Sequence, residues 1–137
     1  MSLLKALETS GTAMNAQQIR LSIISSNLAN AQTVSSTSEG AYKAKHPVFA
    51  AVMDNYSNEN PNIGVKVKDV IESNEPIRKE FNPGHPMSDE EGFIYRPNVN
   101  SVEEMANMMS ASRSFQTNVQ VANTSKSMLV KLLRLGK

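Results

Sequence analysis

Two histidines, His46 and His85, and an acidic run, Asp89-Glu90-Glu91, have the widest chemical reach in this 137-residue chain. A metal centre of the common tetrahedral kind needs three or four His, Cys or carboxylate ligands brought to one point. The histidines stand 39 positions apart and the chain has no cysteine. Ser88-Asp89-Glu90-Glu91-Gly92 lacks the alternating ligands of a calcium loop. Turn chemistry and solvation explain the acidic run better than a metal does. Serines are abundant, but none has a base placed to activate it. No phosphate-cradling glycine motif or nucleophile elbow occurs. The expectation is a non-enzyme with no catalytic residue, no cofactor and no metal site; a hydrolase is disfavoured by the missing constellation.

What remains is hydrogen-bonding chemistry. In Ser26-Asn27-Leu28-Ala29-Asn30, two asparagines stand where an apolar-striped helix runs into a stretch of Ser, Thr, Gln and Gly. Their amides can bond backbone groups where the helix ends, or backbone groups of an adjacent molecule. Sequence leaves both open.

The elements that carry these residues are marked by punctuation. All six prolines and four of the six glycines fall between residues 40 and 97, so breakers split the chain into helix, irregular or β-rich middle, and helix. In the first segment Leu7, Met14, Leu21 and Leu28 recur every seven residues, with Leu3 and Ile24 at the complementary offset, as in a coiled-coil seam. In the last, Met108, Phe115, Ala122 and Leu129 form one seven-spaced row, and Met105, Val119 and Leu133 a second. Asn100 with Glu103, or Ser101 with Glu104, signals that helix's start. Arg134 and Gly136 mark its end.

Between the helices, Val65 and Val67 alternate with Lys66 and Lys68, the period of a half-buried strand. Residues 76–81 and 92–97 are further strand candidates around turn signals at Asn82-Pro83-Gly84 and Glu91-Gly92. Residues 54–63 read as loop. The predicted fold is mainly α, with N- and C-terminal helices paired as a coiled coil and an irregular or antiparallel β insert. The predicted division is residues 1–33, 34–99 and 100–137.

Composition narrows the function classes. A net charge of +1 gives no case for nucleic acid or an anionic membrane. No run of eighteen apolar residues is present to span a bilayer. The N-terminus lacks the basic segment, apolar block and cleavage site of a secretory signal, so a cleaved leader is not expected. Residues 1–33 contain three charged side chains against fourteen Ser, Thr, Asn or Gln, and residues 101–137 contain seven against thirteen. Solvent-facing helices carry Glu and Lys, whereas charge depletion is characteristic of interface centres. Helices of this composition are expected to be covered by other protein. A soluble helical adaptor or export chaperone, the alternative, calls for charged outer faces.

Ser26-Asn27-Leu28-Ala29-Asn30, the spacer from Ala31 to Gly40 before Tyr42-Lys43, and the block from His85 through Asn98 and Asn100 to Glu103-Glu104-Met105 together resemble the rod and hook family of bacterial flagellar axial proteins, its C-type rod members in particular. The likeness covers nearly the whole chain. The Ser-rich spacer without proline is a departure. The resemblance implies a structural component of the proximal rod, which crosses the periplasm and surrounds the export channel. It implies delivery through the flagellar type III apparatus and paired terminal helices in an inner tube. The implied partners are other copies of the chain, the siblings FlgB, FlgF and FlgG, and FliE at the rod base, with no nucleic acid, membrane insertion or small-molecule substrate.

Overall fold

The computed structural model describes residues 3–54 and 62–136. Its elements run α1 (Leu3–Asn30), β1 (Lys45–Asp54), β2 (Asn62–Glu72), β3 (Arg78–Phe81), β4 (Phe93–Arg96) and α2 (Ser101–Leu135). The strands form two two-stranded sheets, β1 with β2 and β3 with β4. Two long helices flanking a small β insert are thus the architecture. By compactness the chain divides into two units. One comprises residues 1–21, 47–69 and 109–137; the other comprises 22–46 and 70–108.

Side chains close the end of α1 and the start of α2. Along α1 the hydroxyls of Ser10 and Thr12 donate back to the carbonyls of Ala6 and Thr9, at 2.8 Å each. This keeps polar side chains inside the helix without competing for its ladder. At its C-terminal end Ala31 N donates to Leu28 O (3.2 Å) and Asn30 Nδ2 to Ser26 O (2.8 Å). Thr33 covers Asn30 O with both its backbone N (3.1 Å) and its hydroxyl (2.8 Å). These bonds take up carbonyls that a helix end otherwise leaves open. α2 starts at the Asn100 cap, whose Oδ1 accepts from Val102 N at 3.2 Å. Glu103 and Glu104 lie in its first turn and Arg134 in its last, the placement the helix dipole favours.

In the first unit the buried positions are all small: Ser10, Ala16, Ala111 and Ser125. Thr12 Oγ1 accepts from Val65 N at 3.2 Å, and Thr9 Oγ1 donates to Ile63 O at 3.4 Å, so α1 is stitched to β2 through threonines. Gly64 sits at that crossing because a Cβ there would lie 3.2 Å from Thr12 Oγ1 and 3.3 Å from its Cγ2. Large apolar side chains stay exposed in this unit, among them Met53, Met128 and Leu132, and at the end of α2 Leu133 (74%) and Leu135 (83%).

The second unit has an apolar core of Ile24, Ala41, Ala44, Ile94 and Val99. β3 and β4 pair antiparallel in the register Arg78↔Arg96, Lys79↔Tyr95, Glu80↔Ile94 and Phe81↔Phe93. The Phe81 and Phe93 rings meet edge to face at 5.2 Å, and Lys79 Nζ lies 3.9 Å from the Phe93 centroid. The turn between them is knotted by Asp89, whose Oδ1 accepts from Phe93 N (2.7 Å) and Glu91 N (3.0 Å) and whose Oδ2 accepts from Tyr95 OH (3.2 Å). Gly92, at φ +81°, closes it. The acidic run is therefore turn structure, as its composition suggests. On the other edge of β4, Ser35 exchanges both backbone bonds with Tyr95, at 2.9 and 3.0 Å, which ties the Ser/Thr spacer to the sheet.

β3 and β4 lie within the strand candidates read from the sequence, while β2 contains the Val65–Lys68 alternation but starts earlier, at Asn62, so that Asn62 and Ile63 are strand where a loop is expected. β1 is an addition. Its Pro47-Val48-Phe49-Ala50-Ala51-Val52-Met53 is an apolar run without alternation, opened by a proline, and so carries no period-2 signal. Most of the expected loop at 54–63 lies outside the described residues.

Candidate functional site: a buried asparagine clasp

Unit 2 gathers its polar side chains at one place, the backbone of Ala44 and Lys45 where β1 begins. Asn27 is completely buried (0% exposed). Its Nδ2 donates to Lys45 O (2.9 Å) and to Glu104 Oε2 (3.2 Å), while its Oδ1 accepts from Lys45 N (3.0 Å) and from Tyr42 OH (2.9 Å). The carboxamide thus pairs with Lys45 as a peptide unit of an adjoining strand would. An asparagine amide offers two donors and two principal acceptor directions, and all four are taken. The Tyr42 hydroxyl lies 3.2 Å from Ser26 Oγ. Because Tyr42 donates its proton to Asn27, Ser26 is the donor in that contact.

Asn98, also buried, is the second half. Its Oδ1 accepts from Ala44 N (2.7 Å), and its Nδ2 donates to Glu75 O (2.8 Å) and, at 3.4 Å, to Ser73 O. Ser73 N donates in turn to Ala44 O at 2.7 Å. Both N–H groups and both carbonyls of Ala44 and Lys45 are therefore satisfied, three of them by asparagine side chains alone. Buried backbone groups demand this accounting. The clasp fixes where the chain turns from the spacer into β1, and holds the C-terminal turn of α1 and the N-terminal turn of α2 to that point.

The chemistry of the clasp is that of hydrogen bonding. Its members are neutral amides, two hydroxyls and the Glu104 carboxylate, which accepts from an amide and lies near no nucleophile among these bonds. His85 Nδ1 accepts from Met87 N (3.1 Å) in a local turn, and His46 is exposed. Among the described residues no group of three or more His, Cys, Asp or Glu could hold a metal ion.

Of the residues singled out from sequence, Ser26, Asn27, Tyr42, Asn98 and Glu104 meet here. Glu104 turns inward to Asn27 instead of back onto Ser101, and Asn100 supplies the helix cap. The two asparagines of the Asn27-Leu28-Ala29-Asn30 stretch differ: Asn27 has no bonding capacity left for another molecule, whereas Asn30 makes the local bond to Ser26 O. Leu28 is half-buried, Ala29 and Glu103 are exposed, and His85 is half-buried.

Among the seam candidates Ile24 is buried, and Leu7, Met14, Leu21, Met108, Phe115, Val119, Ala122 and Leu129 are half-buried, while Met105 (56%) and Leu133 (74%) are exposed. Beside Met108-Phe115-Ala122-Leu129, α2 buries Glu104, Ala111 and Ser125 and half-buries Asn118, a seven-spaced row one residue before the Met105-Val119-Leu133 row read from sequence. Hydropathy could not show it, because none of the four is a large apolar residue. Their seven-residue spacing was the available signal. Lys126 stands exposed beside Ser125, with its charge outward.

Comparison with known proteins gives the class. Residues 7–34 match the family model described as flagella basal body rod protein, and residues 90–135 the one described as flagellar basal body rod FlgEFG protein C-terminal. These matches contain Asn27 and Glu104, which meet in the clasp. Over its full length the chain is 46% identical to the flagellar basal-body rod protein FlgC of Escherichia coli and 44% identical to that of Salmonella typhimurium, covering 100% of each relative. With FlgC of Borreliella burgdorferi the identity is 34%, over 98% of both chains. The chain belongs to the FlgC family of flagellar basal-body rod proteins.

Proposed function

We propose that this chain is a structural, non-enzymatic component of the proximal flagellar rod. It polymerises with further copies and with the rod proteins FlgB, FlgF and FlgG above FliE at the base. The observation that carries the reading is the end-to-end match with FlgC relatives, at up to 46% identity across all 137 residues. The described helices support it physically. At 1.5 Å per residue α1 and α2 are about 42 and 52 Å long. They are charge-poor, bury chiefly small side chains in the first unit, and leave large apolar ones exposed. Small residues at a seam allow close approach of helices, and exposed apolar groups call for a neighbour.

In this reading the terminal segments 1–33 and 100–137 pair as a coiled coil and form the inner tube around the export channel, with 34–99 outside it. Heterologous contacts that do not close into a ring propagate the tube, and the interlocked helices transmit torque. Delivery by the flagellar type III apparatus to the periplasmic space belongs to the same reading. No described helix is long and apolar enough to cross a membrane. The test is direct: an epitope-tagged chain, expressed in cells lacking their own copy, is recovered in purified basal bodies and restores swimming. Tagged protein that stays free while basal bodies form without it would refute the proposal.

A further inference from the structure

Among the described residues, the Oε1 atom of Gln17 is the buried side-chain oxygen or nitrogen with no hydrogen-bond partner. Other buried polar groups are provided for: Ser10 donates to Ala6 O, Asn27 makes four bonds and Asn98 three. Gln17 lies on the seven-spaced row Leu3, Ser10, Gln17, Ile24, whose members Ser10 and Ile24 are buried. Ser10 turns its hydroxyl onto its own helix, which the longer side chain of Gln17, half-buried as a whole with its Oε1 enclosed, does not do. A buried acceptor left unpaired costs stability that an apolar side chain of the same size would not. A polar group kept in a helix seam at such a cost is how coiled coils fix register and exclude wrong partners.

We infer that Gln17 is the register key of contacts between molecules: its Oε1 takes its hydrogen bond from an amide or hydroxyl donor on a terminal helix of the neighbouring subunit. The partner chemistry is present in every copy, since residues 101–137 alone carry thirteen Ser, Thr, Asn or Gln. Three rotatable side-chain bonds let the carboxamide re-aim toward a docking helix without backbone change. The inference rests on the rod assembly proposed above and adds the residue that sets its register.

The test is Gln17→Met, nearly isosteric and without the acceptor, in the full chain. The isolated variant resists urea better than the parent, as removal of an orphan acceptor requires. Its recovery in purified basal bodies from cells lacking their own copy falls about tenfold, the equivalent of roughly one modest hydrogen bond. A lower urea midpoint, or recovery equal to the parent's, overturns the inference and leaves the rod reading standing. If the parent chain itself is absent from basal bodies, the rod reading and the key fall together.

Discussion

The asparagine clasp and the outer stretches of the two helices solve opposite problems. At the clasp, side chains from four sequence regions satisfy one another completely, and Asn27 has nothing left to offer. Along the first unit the buried side chains are two alanines and two serines, while Leu132, Leu133 and Leu135 face solvent. One region is finished within a single chain; the other has a surface that a single chain does not finish. The difference locates self-sufficiency: the polar root of the insert completes its own bonding within the second unit, and in the proposed assembly the exposed helix surfaces are where neighbours would dock.

The sharpest way to break this contrast is Asn27→Ala. It strands the Lys45 backbone, the Tyr42 hydroxyl and the Glu104 carboxylate, and is expected to destabilise the isolated chain by about 3–4 kcal/mol in urea titration. A loss below 1 kcal/mol would mean that the clasp is not what holds this region. Asn98→Ala should cost about 2 kcal/mol by the same measurement, since Ala44 N and Glu75 O lose their partner. Gly92→Ala is next. Its positive φ, and a Cβ that would approach Phe81 Cε2 at 3.0 Å and Pro83 Cβ at 3.1 Å, put the cost at about 1–2 kcal/mol.

A smaller effect is carried by pH. The Phe93 N–H donating to Asp89 holds that carboxyl below its ordinary 3.8, against some desolvation, with help from the Tyr95 hydroxyl, the Glu91 N–H and the charge of Lys79. The native state therefore binds this proton less readily than the unfolded chain. The resulting stabilisation of the β3–β4 turn is fully present above about pH 4 and is lost as pH falls through the lower folded value. Asp89→Asn should flatten an acid titration of the Phe93 amide resonance. Last comes Leu133→Asp, expected to change the stability of the isolated chain by less than about 0.5 kcal/mol, yet to remove it from purified basal bodies. Unchanged incorporation would end the idea that the exposed end of α2 waits for a neighbour.

Much of this fold could be read from sequence, and the limits have physical causes. The heptad rows, the Asn100 cap and Gly136 delimit the helices because caps and periodicity are local signals. The turn at Asp89 was likewise visible in its own residues. β1 was not, because an unbroken apolar run after Pro47 does not distinguish strand from other buried chain. The clasp was visible only as a set of family-like residues. Asn27 and Asn30 look equivalent in sequence, yet the partners of Asn27 lie 15, 18 and 77 positions away, and no local pattern reports such distances. Glu104 read as a helix-start residue for the same reason. The buried row through Ala111 and Ser125 escaped hydropathy because its members are small or polar side chains.

The separation of Asn27 from Glu104 also sets a timetable. A latch whose two halves are 77 positions apart closes late, since the loop between them must be gathered first. Until the start of α2 is in place, Asn27 lacks its Glu104 partner, so the end of α1 reaches its final set of bonds only after the whole insert has been gathered.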